Sequence, residues 1–87
     1  MLLKHFKYED KLKKKELLFS HGAYLASRRI KDFTILLFQI ASFYAEVYVD
    51  TEEMEIGYIR AFSSVDELNP YLNSINLSQI FSILKPV

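Results

Sequence analysis

The 87 residues suffice for one domain and not for two, and a chain of this size hides only roughly 60 to 65% of its unfolded surface. Hydrophobic residues make up 51% and charged residues 25%, which excludes a disordered composition, and with no cysteine there is no disulfide framework, thiolate zinc site or cysteine nucleophile. Eleven basic residues balance eleven acidic ones, so no global field draws in nucleic acid; residues 1–31 nevertheless carry nine Lys or Arg against three acids, and residues 32–87 two against eight.

The N-terminal MLLKHFKYEDKLKKK holds no apolar stretch of the length that secretion needs, and residues 1–7 read as a flexible arm on a single domain spanning 1–87. The expected setting is the cytoplasm. Residues 8–20 read as a helix with Tyr8, Leu12 and Phe19 on its buried face and Gly22 in a left-handed cap, although Lys15 interrupts the stripe. AYLASRRI (23–30) reads as a first strand, and Lys31-Asp32 as the turn after it.

The segment FTILLFQIASFYAEVYV (33–49) carries one charge, Glu46, in seventeen residues. A membrane-spanning helix needs about 20 apolar residues, and ten of these seventeen are β-branched or aromatic, types that suit a pleated surface. Phe43, Ala45, Val47 and Val49 alternate with Tyr44, Glu46, Tyr48 and Asp50, a period of two. The run therefore splits into two strands about Ala41-Ser42; a two-residue loop there sets Ile40 against Phe43, Phe38 against Ala45 and Leu36 against Val47 on the core side. The same pattern sets Leu25 against Phe38.

DTEE (50–53) reads as a hairpin loop, and MEIGYIRAF (54–62) as a fourth strand in which Gly57 marks a bulge or a close approach. Burying an unpaired arginine costs more than exposing it, so Ile59 and Ala61 are set inward and Tyr58 and Arg60 outward. Ser64-Val65-Asp66-Glu67 matches a capping box, followed by Leu68, Tyr71, Leu72 and Ile75 at helical spacing; Pro70 allows a restart with Asn69 as cap, and Ser78 can open a short last helix through Leu84.

These elements make an α+β domain: a four-stranded antiparallel meander with an N-terminal helix and one or two C-terminal helices on one face, a two-layer sandwich. The opposite face then carries Tyr24, Arg28, Leu37, Tyr44, Glu46, Tyr48, Tyr58 and Arg60. Tyrosine and arginine combine large contact area with directional polar groups, so this helix-free face is the expected binding surface of a non-enzymatic module that forms a homodimer or binds another protein. A small-ligand pocket built on Arg28, Arg60 and Glu46 is the alternative. Single-stranded nucleic acid is a third reading, opposed by Glu46 at the centre of the face and by the missing basic excess.

No catalytic motif is present, and neither a cofactor nor a metal is expected. Asp50, Glu52, Glu53 and Glu55 lack calcium-loop spacing and read as a soluble hairpin tip; the lysines of KLKKK read as a solvated helix face; His21 beside Ser20 forms no triad. Through LASRR, LLFQI, FYAEVYVD, IGYIRAF and ELNPYL the chain resembles a group of small uncharacterised bacterial proteins with the same order of elements, over about residues 20–76. That resemblance implies a bacterial cytoplasmic protein and adds no function.

Overall fold

The computed structural model describes residues 1–72, and the readings made above for Ile75 and for a helix from Ser78 lie outside them. Two helices, α1 (Leu3–Tyr8) and α2 (Lys11–His21), precede four strands, β1 (Ala23–Ile30), β2 (Phe33–Ile40), β3 (Phe43–Asp50) and β4 (Ile56–Phe62), and a 3-10 helix follows at Val65–Tyr71. The sheet is antiparallel in the order β1-β2-β3-β4, the meander expected from the alternation.

Register follows the sequence reading through most of the sheet. Ile40 pairs with Phe43, Phe38 with Ala45 and Leu36 with Val47, so Ala41-Ser42 is a two-residue turn, reached with Ala41 at φ 52° because no glycine is present to take that conformation. Val47 pairs with Ile59 and Glu46 with Arg60, which puts Ile59 inward and Arg60 outward. Gly57 is the extra residue of a bulge between the Tyr48–Tyr58 and Val49–Ile56 pairs, where an added Cβ would come within 3.2 Å of the Phe33 ring. The loop after β3 is shaped by Asp50, whose carboxylate accepts from the backbone N–H groups of Glu52 and Glu53 at 2.9 Å each.

The first strand departs from the expected register. A bulge between Tyr24 and Ala26 sets Tyr24, not Leu25, against Phe38. The extra residue turns Tyr24 to the helix side, with its ring 5.8 Å from that of Phe38, and sends Leu25 to the other face, where it packs beside Ala26.

The N-terminal segment departs from the single helix expected there. Residues 1–7 are not a free arm, because α1 buries Phe6 completely, 5.3 Å ring to ring from Phe43. The expected single helix is broken at Glu9-Asp10, where the Asp10 side chain accepts from the Lys13 N–H at 2.8 Å and caps a new helix. That break leaves Tyr8 out of phase with α2, which docks through Leu17 and Leu18 while Tyr8, Leu12 and Phe19 stay exposed. Gly22 ends α2 at φ −84°, not in a left-handed cap; its N–H reaches the Leu18 carbonyl at 2.8 Å, and a Cβ would fall 2.5 Å from the same oxygen. Close approach requires the glycine here.

After β4 the capping box is not made. Ser64 makes no side-chain cap bond, the helix winds as 3-10 with Pro70 inside it, and the Glu67 carboxylate that would complete the box pairs with Arg60 instead. This helix lies on the face opposite α1 and α2, so the sheet separates two cores. One gathers Phe6, Leu18, Phe38, Ile40, Phe43, Ala45, Val47 and Ile59; the other gathers Ala26, Leu37, Tyr44, Phe62, Leu68 and Tyr71.

Candidate functional site: a buried carboxylate clamp and an open helix-side groove

The face expected to be free of helices is closed at its centre. Leu37, Tyr44, Glu46 and Tyr48 are all buried, and the expectation of an open contact surface across them is corrected. Leu68 and Tyr71 supply apolar cover for the centre, a role invisible until the 3-10 helix is placed. Tyr24 has left this face altogether. Arg28 and Arg60 remain half-buried, and Tyr58 remains exposed with its ring stacked 4.2 Å from that of Tyr48.

At the middle of the second core sits Glu46, 2% exposed. Its carboxylate accepts from Arg60 Nη1 at 2.8 Å, from Arg28 Nη2 at 3.3 Å and from the Tyr71 hydroxyl at 2.5 Å. Arg28 reaches it from β1 across β2, with the guanidinium carbon 5.3 Å from the Tyr71 ring centre. Arg60 lies 4.8 Å from the Phe62 ring centre and joins Glu46 to Glu67. A charge placed mid-sheet in an apolar strand is tolerable only with such partners. The arrangement fastens the 3-10 helix to the sheet at two points, Tyr71 and Glu67.

A cleft of about 400 Å³ opens beside this cluster, lined by Arg28, Glu46, Tyr48, Arg60, Asp66 and Glu67 among others. Its two arginines face three carboxylates, two of which already hold them. An anion entering there must displace Glu46 or Glu67. Tyr71 was read from the sequence only as part of a helical stripe; the lone Glu46 in an apolar strand was the signal that a polar partner had to come from elsewhere.

Burial raises the Tyr44 phenol above its ordinary value of 10. Burial, with a hydrogen bond to Tyr58 and the nearby Glu46 charge, pushes Tyr48 up to about 12. Tyr71 is raised as well, by burial first and then by its bond to Glu46. Each of these phenols keeps its proton longer in the folded chain than in the unfolded one, so their contribution is intact below pH 10 and is lost as pH climbs through the folded values. Urea titrations between pH 9 and 12 are expected to show stability falling above pH 10 by about 1.4 kcal/mol per pH unit for each of Tyr48 and Tyr71. Tyr71→Phe is expected to remove one such share of the slope; an unchanged slope would mean that Tyr71 does not keep its proton in the fold.

On the opposite side of the sheet, α2 leaves an open groove of about 520 Å³. Leu36, Val49 and Ile56 form its floor, and Leu12, Phe19 and Met54, which are 65%, 57% and 75% exposed, stand along it. Lys11 and Lys15 border it on the α2 side and Glu55 on the loop side. Assigning Leu12 and Phe19 to the buried stripe is what hid this groove at the level of sequence.

Among the described residues no three His, Cys, Asp or Glu side chains gather as a metal site, and no helix is long and apolar enough to cross a membrane. No protein-family model, curated protein or solved structure matches the chain. Fold and sites together define an α+β protein with its sheet covered on both faces, one cover held by a buried carboxylate and the other leaving an apolar groove.

Proposed function

We propose that the chain is a non-enzymatic protein-interaction module, acting in a bacterial cytoplasm, and that its contact surface is the groove between α2 and the sheet. The observation that supports this is the concentration of exposed apolar side chains there: Leu12, Phe19 and Met54 stand over a floor that is itself only partly covered. Large apolar side chains clustered in a concave strip and rimmed by charges mark surfaces that are covered in use. The small-ligand alternative fares less well, because the cleft beside Glu46 presents arginines already paired with carboxylates.

The test is photocrosslinking in the cell with a benzophenone amino acid at Leu12, and at Arg29 on β1 as the control. The expected result is a discrete polypeptide adduct from position 12 and none from position 29. The same adducts from both positions, or none from position 12, would overturn the assignment of the groove.

A further inference from the structure

We infer that the occupant of this groove is a second copy of the chain, related by a two-fold axis, so that the basic wall of each copy meets the acidic wall of the other. This rests on the groove being the contact surface, and it adds the identity of the partner.

Charge points to this occupant. The lysines of α2 and the acids of the loop after β3 account for much of the division between a basic N-terminal part and an acidic remainder. Within the described residues, that division is bridged by one ion pair, Arg28 with Glu46, far from the groove. Lys13 pairs along its own helix with Glu16, Lys11 donates to the Ile56 carbonyl at 3.0 Å, and no ion pair joins α2 to Glu52, Glu53 or Glu55. Lys11 thus reaches the sheet beside Glu55, while Lys15 and Glu55 border the apolar floor with no ion pair between them among the described residues.

A partner of single charge sign suits such a groove poorly. An acidic peptide, a nucleic acid or an anionic membrane would be attracted by Lys11 and Lys15 and repelled by Glu55. A surface bearing the same two walls in reverse order satisfies both, and a two-fold axis through the groove generates that surface from the chain itself. Leu12 and Phe19 of each copy then meet Met54 of the other, whose flexible thioether adapts to an irregular apolar gap. Closure by a two-fold axis also prevents the open-ended stacking that a head-to-tail contact would allow.

Lys15 and Glu55 are both exposed, so reversing either charge leaves the fold intact, as circular dichroism will verify. Sedimentation velocity from about 1 to 100 μM is expected to show a dimer for the natural chain and at least tenfold weaker association for Lys15→Glu and for Glu55→Lys, each of which sets like charges together twice. An equimolar mixture of the two variants, and the double variant Lys15→Glu/Glu55→Lys, are expected to recover the dimer, because both pairings become complementary again. A natural chain that stays monomeric throughout, charge reversals without effect, or a mixture that fails to recover would each overturn the two-fold pairing. The crosslink from Leu12 keeps the two proposals apart: an adduct of twice the chain mass supports the second copy, whereas an adduct with a different polypeptide overturns it and leaves the interaction module standing.

Discussion

Glu46→Ala is expected to lower the unfolding free energy by about 3 kcal/mol, near the lower end of what breaking a buried ion pair costs. The substitution takes the carboxylate from a half-buried Arg28, whose Nε already lacks a hydrogen-bond partner among the described residues, and takes the Glu46 oxygen from the Tyr71 hydroxyl. Arg60 is more exposed and keeps Glu67, so its charge is partly returned to water, and the full range of about 3 to 5 kcal/mol is not expected. Glu46→Gln retains an acceptor for the same donors and is expected to cost roughly 1 to 2 kcal/mol. Urea denaturation of the three proteins measures the order. A loss below about 1 kcal/mol for alanine would show that the 3-10 helix is held by its apolar contacts alone.

Phe6→Ala is expected to cost about 3 to 5 kcal/mol, the range for truncating a fully buried aromatic. For a domain of this length that corresponds to a fall in Tm of about 15 °C or more. Were residues 1–7 a loose arm, the same change would fall within about 0.5 kcal/mol of the natural chain. The contrast is large because Phe6 is fully buried in the helix-side core against Phe43, with Lys14 of α2 5.9 Å from its ring centre. Thermal unfolding of this one variant decides between the two descriptions of the N-terminus.

The functional consequence of the buried clamp is to remove a surface. The tyrosines and arginines of the sheet looked like an interface because their types and spacing are those of one. Tyr44 and Tyr48 are instead core residues, stacked on Phe62 and Tyr58, and Tyr48→Glu would report on folding as much as on association. On the other side Leu12, Phe19 and Met54 stand exposed along the groove between α2 and the sheet.

What was legible in the residues is the sheet. Alternation over 43–50, with the two-residue turn at Ala41-Ser42, sets the register of β2 on β3, because a slip by one residue would turn Phe43, Ala45, Val47 and Val49 to the wrong face, and the cost of burying Arg60 decided the facing of β4. The glycine in β4 was informative as well: a bulge or a close approach was expected of it, and both occur there. The bulge in β1 escaped notice because both Tyr24 and Leu25 can face an apolar neighbour, so nothing in their types penalises the inserted residue.

The helices were less legible. An aspartate cap at Asp10 competes with a continuous helix through 8–20, and only the presence of a hole beside Phe43 that Phe6 fills decides between them. In the same way Glu67 has two uses, closing a capping box or pairing with Arg60, and the choice depends on how close the strand brings that arginine. Composition and period by themselves determined an α+β meander, its strand order and most of its pairings, since these follow from backbone alternation and the burial of apolar side chains. Which face each helix covers, and therefore which surface stays open, was decided by the tertiary structure alone, because it depends on contacts between residues far apart in the chain: Glu46 with Tyr71, and Phe6 with Phe43.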